Sequence, residues 1–138
     1  MKVFLSGSIS IHSLPQIAIE KLNSIIAKNI TVLVGDAFGV DEMIQKYLAE
    51  MSYPNVIVYH AGEKIRNNLA SWPTVSVPAN DLTGRALYTK KDKQMAIDSD
   101  YGMMIWDGKS KGTKANIDEM LKLKKHFYVI QNNCISSL

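Results

Sequence analysis

The chain has 138 residues, 46% hydrophobic and 21% charged, a balance that suits one globular domain spanning 1–138. A formal net charge of +3 is mild, and basic residues cluster only at 109–114 and 122–125; so weak a footprint argues against nucleic acid as a partner. The single cysteine, Cys134, excludes an intrachain disulfide and a cysteine zinc cluster.

The three histidines (His12, His60 and His126) lie far apart and show no local metal-ligand spacing. No metal and no cofactor are therefore expected. The opening "MKVFLSGS" starts directly on a strand pattern whose apolar part is too short for a signal peptide or a membrane span. The expected setting is the cytoplasm, without a membrane partner.

In chain order, "KVFLS" (2–6) predicts a strand and "GSIS" a turn. Ile17, Ile19, Leu22, Ile25 and Ile26 form the apolar stripe of a helix, with Pro15 in its first turn. "TVLVG" (31–35) is a β-branched run suited to a buried strand. "DAFGVDE" then leads into a helix carrying Met43, Ile44, Tyr47, Leu48 and Met51, and "NVIVYH" (55–60) predicts the third strand. From 61 to 87 the periodicity fails, around Trp72, Pro73, Pro78 and the Arg66-Asn67-Asn68 triplet. A structureless connection of that length is uncommon in a compact domain and points to a functional loop. A helix over 88–99, a strand over 101–105, the turn "WDGKSKGT", a helix over 114–125 and a strand over 127–131 complete the pattern.

Strands alternating with helices predict a single Rossmann-like three-layer α/β domain with a five-stranded, mostly parallel sheet. Ligands of such sheets bind beyond the carboxyl ends of the strands, near a reversal of strand order. The turns that matter are therefore "SGSIS", "VGDAFGVDE", the long loop after "IVYH", and "WDGKSKGT". Glycine at a strand exit permits close backbone approach, and a helix start presents unpaired N–H groups to an anion. Gly7 with Ser8, and Gly112 with Ser110 and Thr113, fit a phosphate. Asp36 and Asp41 could contact ribose hydroxyls, although Asp41 equally suits a helix N-cap. Neither G-x-G-x-x-G nor a Walker lysine loop is present.

At these residues the chain resembles the SLOG superfamily, which includes the lonely-guy phosphoribohydrolases, the DprA core and small stand-alone bacterial proteins. "VGDAFGVDE" is similar to the family's glycine-rich turn, "GRALYTKKDKQM" to the arginine-bearing segment, and "SDYGMMIWDGKSKGT" to the most specific block. The resemblance implies a Rossmann-like fold binding a nucleotide or nucleotide-derived ligand. It implies contacts from Gly7, Ser8, Gly35, Asp36, Gly39, Asp41, Arg85, Gly108, Ser110, Gly112 and Thr113.

Two departures bear on chemistry. The lonely-guy enzymes carry a catalytic glutamate where this chain has Asn116, and an arginine where it has Lys91, followed by Asp92. Asparagine cannot stabilise an oxocarbenium ion by charge, and lysine lacks the bidentate fork of arginine. The leading expectation is thus a small cytoplasmic protein that binds an ADP-ribose-like ligand or a nucleoside monophosphate, with Arg85 or Lys91 neutralising charge.

The alternative is an enzyme, an N-glycosidase or transferase, with Asp36, Asp92, Asp107 and Glu119 as candidate carboxylates. A third and weaker reading, a DprA-like role on single-stranded DNA, would need aromatic platforms from Trp72, Tyr88 and Trp106. A homodimer is left open.

Overall fold

The computed structural model describes residues 1–78 and 82–137. Among these, seven strands form one sheet, and four helices cover it. They follow in the order β1 (Lys2–Gly7), α1 (Gln16–Ala27), β2 (Thr31–Gly35), α2 (Val40–Glu50), β3 (Val56–Ala61), β4 (Thr74–Val77), α3 (Gly84–Asp98), β5 (Tyr101–Ile105), α4 (Lys111–Lys122), β6 (His126–Gln131) and β7 (Cys134–Ser137). The spatial order is β4-β3-β2-β1-β5-β6-β7. Every pairing is parallel except β6 with β7.

The layers follow from side-chain alternation along buried parallel strands. Val3, Leu5, Val32, Val34, Val56 and Val58 pack with Ala18, Leu22 and Ile25 of α1 and with Ile44 and Leu48 of α2. Phe4, Leu33, Tyr59 and Met104 point to the other face, where they meet Met95 and Ala96 of α3 and Ile117 and Met120 of α4. The three-layer expectation holds. The expected strand count does not: the sheet has seven strands, not five.

Both extra strands lie at edges, where hydrophobic pattern is weak. β4 falls inside the segment read as irregular. Its "TVSV" lies between Pro73 and Pro78 and is largely exposed, as suits an edge strand bounded by proline. Residues 79–81 of that segment lie outside the described residues. β7 returns through Asn132 and Asn133, whose φ values of 51° and 59° make a tight two-residue hairpin. The Asn-Asn pair was its only sequence signal.

Helix starts also shift. Pro15 is the N-cap residue of α1, just before the first turn. The N-cap of α2 is Gly39 with φ of 77°, so Asp41 lies inside the first turn rather than at the cap. A Cβ on Gly39 would stand 2.6 Å from the Ile9 Cα, because the loop after β1 lies directly against this turn. Gly39→Ala combines left-handed backbone strain with that clash. The substitution is expected to lower the unfolding free energy by on the order of 2–3 kcal/mol, read as a lower urea midpoint with unchanged slope.

Candidate functional site

The strand order reverses between β1 and β5. From β1 the chain moves outward through β2, β3 and β4, and from β5 it moves the other way through β6 and β7. At this switch point a cleft of about 560 Å³ opens at the carboxyl ends of the strands. A second cavity of about 590 Å³ is lined by Lys21, Lys28, Tyr101 and Tyr128 near the amino ends of the central strands. Size does not separate the two. Only the first gathers a helix start, four cations and three carboxylates.

Of the residues singled out from sequence, the cleft wall contains Gly7, Asp41, Arg85, Lys91, Asp92, Asp107, Ser110, Gly112 and Thr113. Ser8, Gly35, Asp36, Gly39, Gly108 and Glu119 are not on it. Ser8 is buried behind the wall, where its hydroxyl meets those of Ser110 (3.1 Å) and Thr113 (3.3 Å) and accepts from the Asp107 N–H (3.1 Å). Thr113 is likewise buried and bonded to Ser110 (3.0 Å). These hydroxyls therefore hold the β1 and β5 exits together and cap α4. Ser110 and Thr113 nevertheless line the cleft.

Gly112 differs. Beyond its own helical turn, no protein atom lies within 4 Å of where its side chain would begin, so the first turn of α4 is open to close approach. Lys111 stands beside it on the wall. Asp107 accepts from Ser10 Oγ (2.5 Å), the Ser110 N–H (2.7 Å) and the Lys109 N–H (2.8 Å). The Ser10 hydrogen bond leads the causes that hold its carboxyl down to about 2. Asp107 thus shapes the turn as a fixed carboxylate.

Asp36 closes the far side of the floor. It accepts from the Arg66 N–H (2.9 Å) and guanidinium (2.7 Å), and Lys91 Nζ lies 3.8 Å away. Burial alone would raise its carboxyl, but the bonds from Arg66 and the Lys91 charge outweigh burial and hold it below its usual range. Arg66 is drawn onto the wall, its guanidinium 4.1 Å from the Tyr88 ring centre.

The loop carrying Arg66 is pinned to the turn after β2. Gln45 donates to the Gly35 (3.0 Å) and Asn67 (3.1 Å) carbonyls, and Asn67 donates to the Asp36 carbonyl (3.0 Å). Arg66 and Gln45 were not predicted as site residues. The Arg66-Asn67-Asn68 triplet beside a strand exit was the available signal.

Asp41 and Lys91 converge over Gly35. A Cβ there would lie 2.5 Å from Asp41 Oδ2 and 2.6 Å from Lys91 Nζ, so only glycine leaves room for both. Lys91 is 3% exposed and pairs with Asp92 at 3.3 Å. Burial would strip its proton, but Asp92, Asp41 and Asp36 together raise its pKa. Asn116, at the family's glutamate position, donates to Ser6 Oγ (2.7 Å) and lines the cleft. Glu119 lies further along α4, off the wall.

Of the three proposed aromatic platforms only Tyr88 lines the cleft. Trp72 is buried in the core with its Nε1–H on the Tyr53 carbonyl (2.9 Å). Trp106 donates to the Ser110 carbonyl (3.0 Å) and packs on the core.

The sequence matches no family model, and no curated protein matches it. The fold has a solved counterpart. The chain is similar to DNA processing protein A from Helicobacter pylori, a structure solved for its single-stranded DNA binding mode, with a TM-score of 0.73 and 18% identity. The match covers 94% of this chain and 65% of that one, so this chain spans under two-thirds of its counterpart's length. At that identity the likeness defines the fold: a Rossmann-like α/β sheet of the DprA kind.

It also corrects the expectation that nucleic acid is an unlikely partner for this fold, since a protein of this fold binds single-stranded DNA. The charge reading weighed runs along the sequence, whereas the fold gathers charges through space. Arg66, Arg85 and Lys91 lie outside the basic clusters of the sequence, yet they line one cleft together with Lys111 of the 109–114 cluster. Among the described residues no helix is long and apolar enough to cross a membrane, and no group of metal-ligating side chains is present.

Asp41 gives the site a stability signature. Its burial raises the carboxyl from 3.8 to about 7, against the pull of Lys91. An acid raised on folding binds its proton more tightly in the native state. Its contribution is therefore greatest below about pH 4 and is lost as pH climbs toward 7. Asp41→Asn should remove this loss, which amounts to at most about 4 kcal/mol. The check is the difference in unfolding free energy between the native chain and the variant at pH 5 and pH 8. Asp36 and Asp107, both depressed, act in the opposite sense and below about pH 4, outside that window.

Proposed function

We propose that the cleft binds a nucleotide or nucleotide-derived ligand through its phosphate. The observation that carries this is the open first turn of α4 at Gly112, facing a cavity at the β1/β5 switch point lined by Arg66, Arg85, Lys91 and Lys111. The free N–H groups and positive dipole end of α4 suit an anion. Tyr88, 37% exposed, offers a ring face to a base. The volume suits a small molecule or a single nucleotide unit.

A second reading, that the nucleotide belongs to single-stranded DNA, is favoured by the fold likeness and by the cleft's surroundings. Phe38, 56% exposed on the loop after β2 and outside the cleft, offers a ring on which a flanking base would stack. Competition between the two ligands tests both readings. A fluorescent oligothymidylate and adenosine monophosphate are expected to exclude one another.

Gly112→Val adds bulk where no protein atom beyond its own helical turn stands within 4 Å. It should keep the fold and weaken both ligands by about tenfold or more, while Tyr88→Ala weakens them by roughly 1–3 kcal/mol. For the strand, Arg85→Ala should lower the salt slope by about 0.7. Failure of the folded protein to bind either ligand at millimolar concentration would remove the proposal.

The glycosidase alternative lacks a free carboxylate of the expected kind. Asp36 is neutralised by Arg66, Asp107 is committed to Ser10 and two N–H groups, and Asn116 is an amide. Asp92 remains on the wall, paired with Lys91. Base release from adenosine monophosphate is therefore expected to stay at background, since one missing preorganised group typically costs ~10²–10³-fold in turnover. Asn116→Glu, followed by chromatography of released adenine, measures whether the cleft retains hydrolase geometry. Brisk release by the native protein would overturn the binding-only reading.

A further inference from the structure

The cleft floor holds an unbalanced set of charges. Asp36 at the end of β2, Asp41 on α2 and Asp92 on α3 face two cations, Lys91 on α3 and Arg66 on the loop after β3. Arg66 is committed to Asp36, and Lys91 is shared by Asp92 and Asp36. Asp41 has no cation within 4.0 Å among the described residues. Its one protein hydrogen bond is a long one, accepted from the Ala37 N–H at 3.3 Å. It is 7% exposed, yet lies on the cleft wall.

Across the cleft stand Arg85 and Lys111, with Asp107 held as a carboxylate by its own turn. Glu42, next along α2, is not on the wall. An ionised Asp41 would leave one uncompensated negative charge in the floor, where little water screens it.

We propose that anion binding in the cleft is coupled to uptake of one proton by Asp41, which sets the charge the pocket accepts. The inference rests on the anion-binding reading given above. A ligand phosphate shares the cavity with Asp41, so its negative charge further disfavours the carboxylate form. Protonation of Asp41 removes that repulsion, and the proton comes from solvent. Linkage makes the effect reciprocal: the anion promotes protonation as much as protonation promotes anion binding. The raised carboxyl of Asp41, at about 7 in the free protein, places the switch within the neutral range. No histidine lines the cleft, so no imidazole on the wall competes for the role.

The test uses probes that do not titrate near neutrality, sodium sulfate and an oligothymidylate phosphodiester, measured by calorimetry from pH 6 to 9. Buffers of different ionisation enthalpy report the protons taken up. The native protein is expected to take up close to one proton per bound anion at pH 8, with Kd rising toward tenfold per pH unit above the Asp41 midpoint. Asp41→Asn keeps shape and the Ala37 acceptor while fixing a neutral group. It should bind with no proton uptake and with a nearly flat profile, at pH 8 as tightly as the native protein at pH 6.

Anion binding by the native protein without proton uptake would overturn the inference while leaving the binding reading intact. So would an Asp41→Asn variant that kept the native pH dependence. Absence of binding by either probe at every pH would overturn both. If Asp41→Asn did not fold, the proton count on the native protein would still decide.

Discussion

β1 and β5 run side by side in parallel, yet their chains leave the sheet toward opposite faces. From Gly7 the chain goes to α1, and from Ile105 it goes to α4. Two neighbouring strands whose continuations part in this way cannot close over their own carboxyl ends, and a crevice follows. The bridge across it is a small set of hydroxyls. Ser8, Ser110 and Thr113 bond one another, and the Asp107 N–H joins them through Ser8. This cross-link keeps the two exits close while the crevice above stays open. Serine and threonine there are structural first, and they make the α4 start available by fixing where it points.

The second determinant is the buried carboxylate of Asp36. A carboxylate in low dielectric needs cations and N–H donors. Asp36 obtains them by drawing Arg66 down from the loop after β3 and Lys91 across from α3. Three segments distant in sequence are joined by one charge. The same arrangement leaves Asp41 without a cation of its own. The cleft wall therefore sets Arg66, Arg85, Lys91 and Lys111 beside a buried carboxyl that has no ion pair of its own. Tyr88, under the Arg66 guanidinium, turns this electrostatic device into one with a flat apolar wall.

The comparison with DNA processing protein A is informative about folds and restrained about function. An 18% identical chain preserves the same sheet because the sheet needs only alternation, helix stripes and glycine at strand exits. None of these specifies a ligand. What differs between a strand-binding groove and a metabolite pocket is the set of side chains at the loop tips. Here those are Phe38 outside the cleft, and Ile9 and Tyr88 on its wall.

The sequence by itself determined the α/β class, the central strands, the helices between them and the end of the sheet at which the cleft opens. Those features follow from local periodicity and strand-to-helix alternation, which are written in neighbouring residues. It also marked Gly112, Arg85, Lys91 and Asp107 as cleft residues through the glycine-rich turns and the family resemblance. Tertiary structure alone decided the rest. β4 and β7 pair at edges where little is buried, so their patterns are faint. Ser8 lies behind the cleft wall, bonded to Thr113 on it, because the β1 and β5 exits meet there. Trp72 and Trp106 were claimed by the core. Arg66 entered the site, and Asp41 was left with Lys91 nearby but no cation within 4.0 Å, only when residues from separate segments were brought together around Asp36 and Gly35. Charge pairing acts through space, and sequence spacing does not encode it.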